Sequence, residues 1–180
     1  MVCDGDFRHP ISTEYDVQRR LFFRLVNCST VLVPNYTPVG WFECDLFQIT
    51  KAGYWTEFEV KLSYSDFKAD LKKFRKHQLL SLGDSHCPSR FFYVAPRGLA
   101  ERIALEAPAY AGVLVAETGR RLRSAPFIFR RRMSQSEIHA VFRPFYYRYW
   151  DQREKIRHLG ESREGGDGSS ADRIGRSPDA

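Results

Sequence analysis

Two stretches rich in β-prone residues, Trp41–Thr50 and Tyr54–Leu62, are separated only by Lys51-Ala52-Gly53. A connection that short leaves room for a tight turn and nothing else, and its glycine supplies the backbone freedom such a turn needs. The chain is therefore committed to an antiparallel hairpin near its middle, around which the other elements must assemble. Alternate residues of a strand share a face. Tyr54–Leu62 thus divides into Thr56, Phe58, Val60 and Leu62 on one side and Glu57, Glu59 and Lys61 on the other. In the preceding strand Glu43 and Asp45 share a face, opposite Phe42, Cys44 and Leu46. Pairing across the turn brings the two acidic faces together, four carboxylates and one lysine on one side of the hairpin.

The flanking sequence supplies helices for that sheet to pack against. Thr13 to Asn27 reads as an amphipathic helix, with Thr13 and Asp16 placed as a capping box and Val17, Leu21 and Leu25 at helical spacing. Thr30–Pro34 is a short β-branched strand. Tyr64 to Leu82 is expected as one helix, with Tyr64, Phe67, Leu71, Phe74 and Gln78 on its apolar stripe. Arg90–Ala95 and Ala111–Ala116 are continuous apolar runs, hence strands buried on both faces, with a turn and a short helical piece over Pro96–Ala107. The order predicts an α/β fold, a central mixed sheet flanked by helices. Ser134-x-x-Glu137 caps a last helix running towards Trp150, which Pro144 is expected to kink or break. One domain is expected over residues 1–157, its core about 13–117 and a C-terminal helical extension over 118–157. Residues 158–180, nearly all glycine, serine and charge, are expected to be a disordered tail.

Like charges gathered on one face repel, so the acidic cluster asks for something that offsets the repulsion. A divalent cation does so. Mg²⁺ (or Mn²⁺) favours carboxylate oxygens, keeps several waters and shares its remaining positions with phosphate. It can polarise a phosphodiester and acidify an attacking water, while Lys61 orients that water or stabilises charge developing on the phosphate. The same alternation is also the ordinary pattern of a half-exposed antiparallel strand.

The run Glu43-Cys44-Asp45, followed after thirteen residues by Glu59-Val60-Lys61, resembles the PD-(D/E)XK signature of restriction-endonuclease-like nucleases. The helix, three strands, helix, strand order over Thr13 to Glu117 is similar to the core of that superfamily. Cys44 stands where the signature has proline. The resemblance implies a restriction-endonuclease-like core (αβββαβ) with Asp45 and Glu59 as metal ligands and Lys61 as the third catalytic residue. It implies the Val60 carbonyl as a further ligand and Glu14, on the first helix, as an auxiliary one. Glu14 also suits a helix N-terminus through the macrodipole alone. Glu43 and Gln78 are auxiliary candidates, Gln78 by likeness to polar residues on the corresponding helix of related nucleases.

The chain carries a formal charge of +6, which favours a polyanionic partner. Lys68, Lys72, Lys73, Arg75 and Lys76 lie just after Lys61 and are expected to meet nucleic-acid phosphates. Arg120, Arg121, Arg123, Arg130, Arg131 and Arg132 form a second basic cluster around Phe127-Ile128-Phe129, a strand pair or an arm gripping a duplex. The aromatic run Phe145–Trp150 suits internal packing or the contact of a homodimer. Cys3, Cys28, Cys44 and Cys87 have neither zinc-ligand spacing nor a paired motif, and reduced thiols are expected. His9, His77, His86, His139 and His158 are scattered with no nucleophile motif near them. No membrane-length apolar run or signal-peptide pattern is visible, which leads us to expect a cytoplasmic protein, or a phage protein acting in the host cytoplasm. The function expected is a Mg²⁺-dependent DNA endonuclease serving repair, recombination, restriction or a phage programme. The alternative is a non-catalytic DNA-binding or assembly protein with the same fold.

Overall fold

The computed structural model describes residues 10–164. Its elements are α1 (Glu14–Leu25), a 3₁₀ turn (Val26–Cys28), β1 (Ser29–Tyr36), β2 (Cys44–Thr50), β3 (Trp55–Val60), α2 (Tyr64–Asp70), α3 (Phe74–Leu82), β4 (Arg90–Ala95), α4 (Arg97–Glu106), β5 (Ala111–Val115), β6 (Arg121–Arg123) and α5 (Gln135–Glu164). All six strands form one sheet in chain order. β1, β2 and β3 pair antiparallel, β3, β4 and β5 parallel, and β6 returns antiparallel to β5. The sheet is mixed and flanked by helices, with a long C-terminal helix.

The topology explains where the helices lie. The crossovers from β3 to β4 and from β4 to β5 advance in one direction along the sheet, and right-handed connection places their helices on one common face. Tyr64 of α2 donates to Glu106 of α4 at 2.7 Å, and the Phe67 ring of α2 meets Tyr93 of β4 edge-on at 5.2 Å. The opposite face is left to α1, whose Val17 and Leu21 pack with Leu46, Phe58, Val60, Phe92, Val94 and Leu114. Its start is fixed by the capping box: the Thr13 hydroxyl accepts from the Asp16 N–H at 3.2 Å, and the Asp16 carboxylate accepts from the Thr13 N–H at 2.8 Å.

Three sequence expectations shift. β2 begins at Cys44, so Trp41 and Glu43 belong to the preceding loop, turned by Gly40 at φ 74°. The single helix expected over Tyr64 to Leu82 is two helices, α2 and α3, with the break at 71–73. Phe74 consequently points outward, 86% exposed, while Lys76 and Leu80 face the sheet. The α5 helix continues through Pro144 without breaking. It also runs on to Glu164, into the expected tail, whose remaining residues, 165–180, lie outside the described region. Among the described residues, those up to Ile138 form one compact unit and those from His139 a second. Tyr146, Tyr147, Tyr149 and Trp150 of the second unit are exposed. Among the described residues no helix is long and apolar enough to cross a membrane.

The sheet is closely packed at Gly112 of β5, paired with Phe92 of β4. A Cβ there would collide with the Phe92 ring and the Ala125 backbone nitrogen. Gly112→Ala is expected to destabilise the fold by about 1–3 kcal/mol in urea denaturation, and trimming the ring in a Gly112→Ala/Phe92→Leu double variant should recover part of that loss.

Candidate active site

The hairpin register places the carboxylates. Leu46 is opposite Phe58 and Phe47 opposite Glu57, so one step further along the same register sets Asp45 opposite Glu59. The contact is direct: the Val60 N–H donates to Asp45 Oδ2 at 2.6 Å. The Lys61 N–H donates to the Val94 carbonyl at 2.9 Å, carrying the parallel ladder past the end of β3 and holding Lys61 on the strand line. Lys61 Nζ lies 2.9 Å from Glu59 Oε1. Asp45, Glu59 and Lys61 are thus brought together, and Val60 lies between the last two.

Glu14 joins them from α1. It is half-buried, and its Oε1 accepts from Gln18 Nε2 at 2.5 Å. The same Gln18 amide reaches Asn35 Oδ1 at 2.9 Å and the Asp45 carbonyl at 2.8 Å, tying α1 to both β1 and β2. Asn35 adopts φ 49°, a left-handed conformation that asparagine tolerates better than other side-chain-bearing residues. Burial, and then the charge of Glu59, raise the Glu14 pKa above the ordinary glutamate range. Asp45 responds in the same way, pushed up to about 7 by burial and by Glu59 against the opposing Val60 hydrogen bond.

The other side of Glu59 is rich in ammonium groups. Lys76 from α3 is 1% exposed and lies 2.7 Å from both Glu57 Oε1 and Glu59 Oε2. Burial alone would favour the neutral amine, but Glu57 and Glu59 outweigh it and hold Lys76 well above the ordinary lysine range. Glu57 is completely buried and also accepts from Trp41 Nε1 at 2.7 Å. Lys73 reaches Asp70 Oδ1 at 2.8 Å and Glu59 Oε1 at 3.4 Å. Lys61 completes the group at 3.7 Å from Asp70, and its pKa is raised because Glu59 and Asp70 overcome the cost of its burial. Lys61 is therefore an ammonium at neutral pH. Burial opposes ionisation of Asp70, yet the His77 hydrogen bond and the Lys61 and Lys73 ammoniums keep its pKa below the ordinary aspartate range. Tyr93 donates to Asp70 Oδ2 at 2.8 Å.

Several sequence candidates lie elsewhere. Glu43 is exposed in the loop before β2, near enough for its charge to act on Glu14. Gln78 is exposed on α3, away from the carboxylates, because the break between α2 and α3 rotates it off the inward stripe. The same rotation carries Lys76 inward, so it is an interior ion-pair partner rather than a surface group that meets phosphate. Lys72 and Arg75 are exposed, Lys73 is half-exposed and turned to the site, and Lys68 pairs with Glu106 at 3.2 Å. Gln18 and Asp70 are site neighbours not singled out from sequence, although each had a signal. Gln18 is one turn after Glu14 and three residues before Leu21, and Asp70 is three residues after Phe67, so both fall on inward stripes. Trp41 had none, since a loop residue carries no periodicity.

Among the described residues no three His, Cys, Asp or Glu side chains are grouped closely enough to form a metal cluster. Asp45 and Glu14 both sense the charge of Glu59, while Glu57 and Glu59 share Lys76.

No family model matches the chain, and no curated protein does. The fold is similar to the solved structure of a protein of unknown function from Silicibacter pomeroyi, at 19% identity and a TM-score of 0.56, over 89% of this chain and 99% of that one. At that identity the likeness concerns the fold.

The Lys76 pair is open to a direct stability test. Lys76→Met leaves Glu57 charged in the interior and is expected to cost about 3–5 kcal/mol in chemical denaturation. Glu57→Gln/Lys76→Met, which keeps an acceptor for Trp41 and removes the stranded charge, should recover most of it.

Proposed function

We propose that the chain is a metal-dependent nuclease of the PD-(D/E)XK kind, with a restriction-endonuclease-like core, that hydrolyses phosphodiester bonds of DNA. The observation that carries this reading is the meeting of Asp45 from one hairpin strand with Glu59 and Lys61 from the other, in an acid, acid-x-lysine arrangement. The donor chemistry suits a small hard cation. Mg²⁺ is commonly held by one or two carboxylates, with waters and substrate phosphate completing its shell; Asp45 and Glu59, with the Val60 carbonyl, would hold it here and Glu14 would support it from α1. The raised pKa values of Asp45 and Glu14 are what carboxyls awaiting positive charge display. Glu59 receives three ammoniums of the roughly four contacts a carboxylate accepts, and Lys73, the exposed one, is free to give way.

When bound, such a cation supplies Lewis acidity to the phosphodiester and lowers the pKa of water. The chain's own residues do the rest. Lys61, kept charged by Glu59 and Asp70, donates to the attacking water or to the oxygen on which charge develops, and does not act as a base. Gln18 fixes Glu14 and the Asp45 backbone. Lys72, Lys73 and Arg75 meet backbone phosphates without reading sequence. The reading places the protein in the cytoplasm, in repair, recombination, restriction or a phage programme.

A second reading, a non-catalytic DNA-binding or assembly protein on the same fold, draws on one observation: Glu59 is neutralised by Lys61, Lys73 and Lys76 without any added ion. Plasmid cleavage separates the two. Supercoiled DNA should be nicked or linearised with Mg²⁺ or Mn²⁺ and spared with EDTA, and Lys61→Ala should slow cleavage about 10²-fold or more. Cleavage unaffected by Lys61→Ala would sink the mechanism, and binding without cleavage under either metal would favour the second reading.

A further inference from the structure

The arginine-rich stretch after β5 is one basic cluster in the sequence, but the fold sorts it into two kinds. Arg123 donates to the Ala107 and Pro108 carbonyls at 2.5 and 2.9 Å, and Arg131 pairs with Glu137 at 2.8 Å. These two are structural. Arg121 and Arg130 instead gather with Arg90 of β4. The Arg90 and Arg130 guanidiniums lie 4.0 and 4.5 Å from the Phe127 ring centre, and Arg132 lies 5.5 Å from that of Tyr54. The two rings meet edge-on at 5.2 Å. Burial, and then repulsion from Arg121 and Arg130, lower the Arg90 pKa, so these charges are close enough to disfavour one another. Among the described residues no carboxylate pairs with Arg90, Arg121, Arg130 or Arg132.

The location is defined by backbone bonds. The segment crosses the ends at which β3 and β4 begin: the Ile128 N–H donates to the Ser89 carbonyl at 3.0 Å and the Met133 N–H to the Gly53 carbonyl at 2.8 Å. Glu59 and Lys61 stand where β3 finishes, about 20 Å away along the strand. The cluster is therefore no part of the carboxylate site.

We propose that this end of the sheet is a second, metal-independent site that binds the phosphate backbone of duplex DNA. Arg90 is held by the Ala125 carbonyl, but Arg121, Arg130 and Arg132 have no carboxylate partner among the described residues; guanidiniums gathered so disfavour the fold unless an anion joins them, and the aromatic faces hold them ready in the interim. Arginine forks match phosphate oxygens in pairs. Arg121, Arg130 and Arg132 are exposed, whereas Phe127, Ile128 and Phe129 are half-buried, so the patch offers charge to its partner and little apolar surface to enter a bilayer. The choice of DNA as the polyanion rests on the nuclease reading.

The test uses the full chain in EDTA, where no bond is cut. Binding of a fluorescein-labelled DNA duplex is followed by anisotropy between about 50 and 200 mM salt. Arg130→Ala/Arg132→Ala is expected to weaken binding on the order of tenfold and to reduce the salt slope by about two. Arg130→Lys/Arg132→Lys should keep the slope. Unchanged affinity and slope in the alanine pair would overturn the proposal. So would parent binding to phosphatidylserine vesicles that is as tight as to DNA and equally lost in the alanine pair. Cleavage is not measured, so failure here leaves the nuclease reading standing, and loss of that reading through absent cleavage leaves this binding result intact.

Discussion

The contact on which the rest of the structure depends is the ammonium of Lys76 lodged between Glu57 and Glu59. Two carboxylates on one face of an interior strand are tolerable only if positive charge is buried with them. An unbroken helix after β3 would turn Leu71, Phe74 and Gln78 towards the sheet and leave both acids alone. The chain breaks the helix at 71–73 and gives up Phe74 to solvent, so that α3 delivers Lys76 at 2.7 Å from each acid. Burial of an aromatic side chain is exchanged for neutralisation of a charge pair, and the magnitudes favour the exchange: a Phe side chain contributes about 1.5–3 kcal/mol on burial, whereas an unpaired buried charge costs about 3–5 kcal/mol.

That exchange also explains what could be read in the sequence and what could not. The hairpin, its register and the union of Asp45, Glu59 and Lys61 follow from a short turn and a period of two, both local properties. The start of the first helix follows from the Thr13 and Asp16 pattern, and the half-buried place of Glu14 from its register with Val17, Leu21 and Leu25. The helix break does not follow, since its cause is a pairing between residues seventeen to nineteen positions apart in sequence. A lysine-rich helix looks like a solvated face until the partners of each lysine are known. The same limit separates Arg123 and Arg131, spent on carbonyls and Glu137, from Arg121, Arg130 and Arg132. Pro144 likewise reads as a helix breaker, although α5 continues through it.

Electrostatically the site is lopsided. Glu57, Glu59 and Asp70 face Lys61, Lys73 and Lys76, and the protonation of all three lysines is secured by that balance. Asp45 and Glu14 stand on the other side of Glu59 with hydrogen bonds but, among the described residues, no ammonium in contact. Under the nuclease reading proposed above, such asymmetry would make Lys61 a charged donor and would leave the Asp45 side to an added cation.

The two connections bounding β2 have different freedom to drift. The loop over 37–43 seats Trp41 on Glu57 but does not set the register of β2 against β3, so its length can vary on either side of Trp41. The Lys51–Gly53 turn is closed by the Gly53 N–H on the Thr50 carbonyl at 2.8 Å and the Thr50 N–H on the Tyr54 carbonyl at 2.9 Å. Gaining or losing one residue there would slip β2 against β3 by a single step and turn Asp45 to the opposite face from Glu59. Insertions and deletions among descendants of this chain should therefore accumulate before β2 and spare the turn after it.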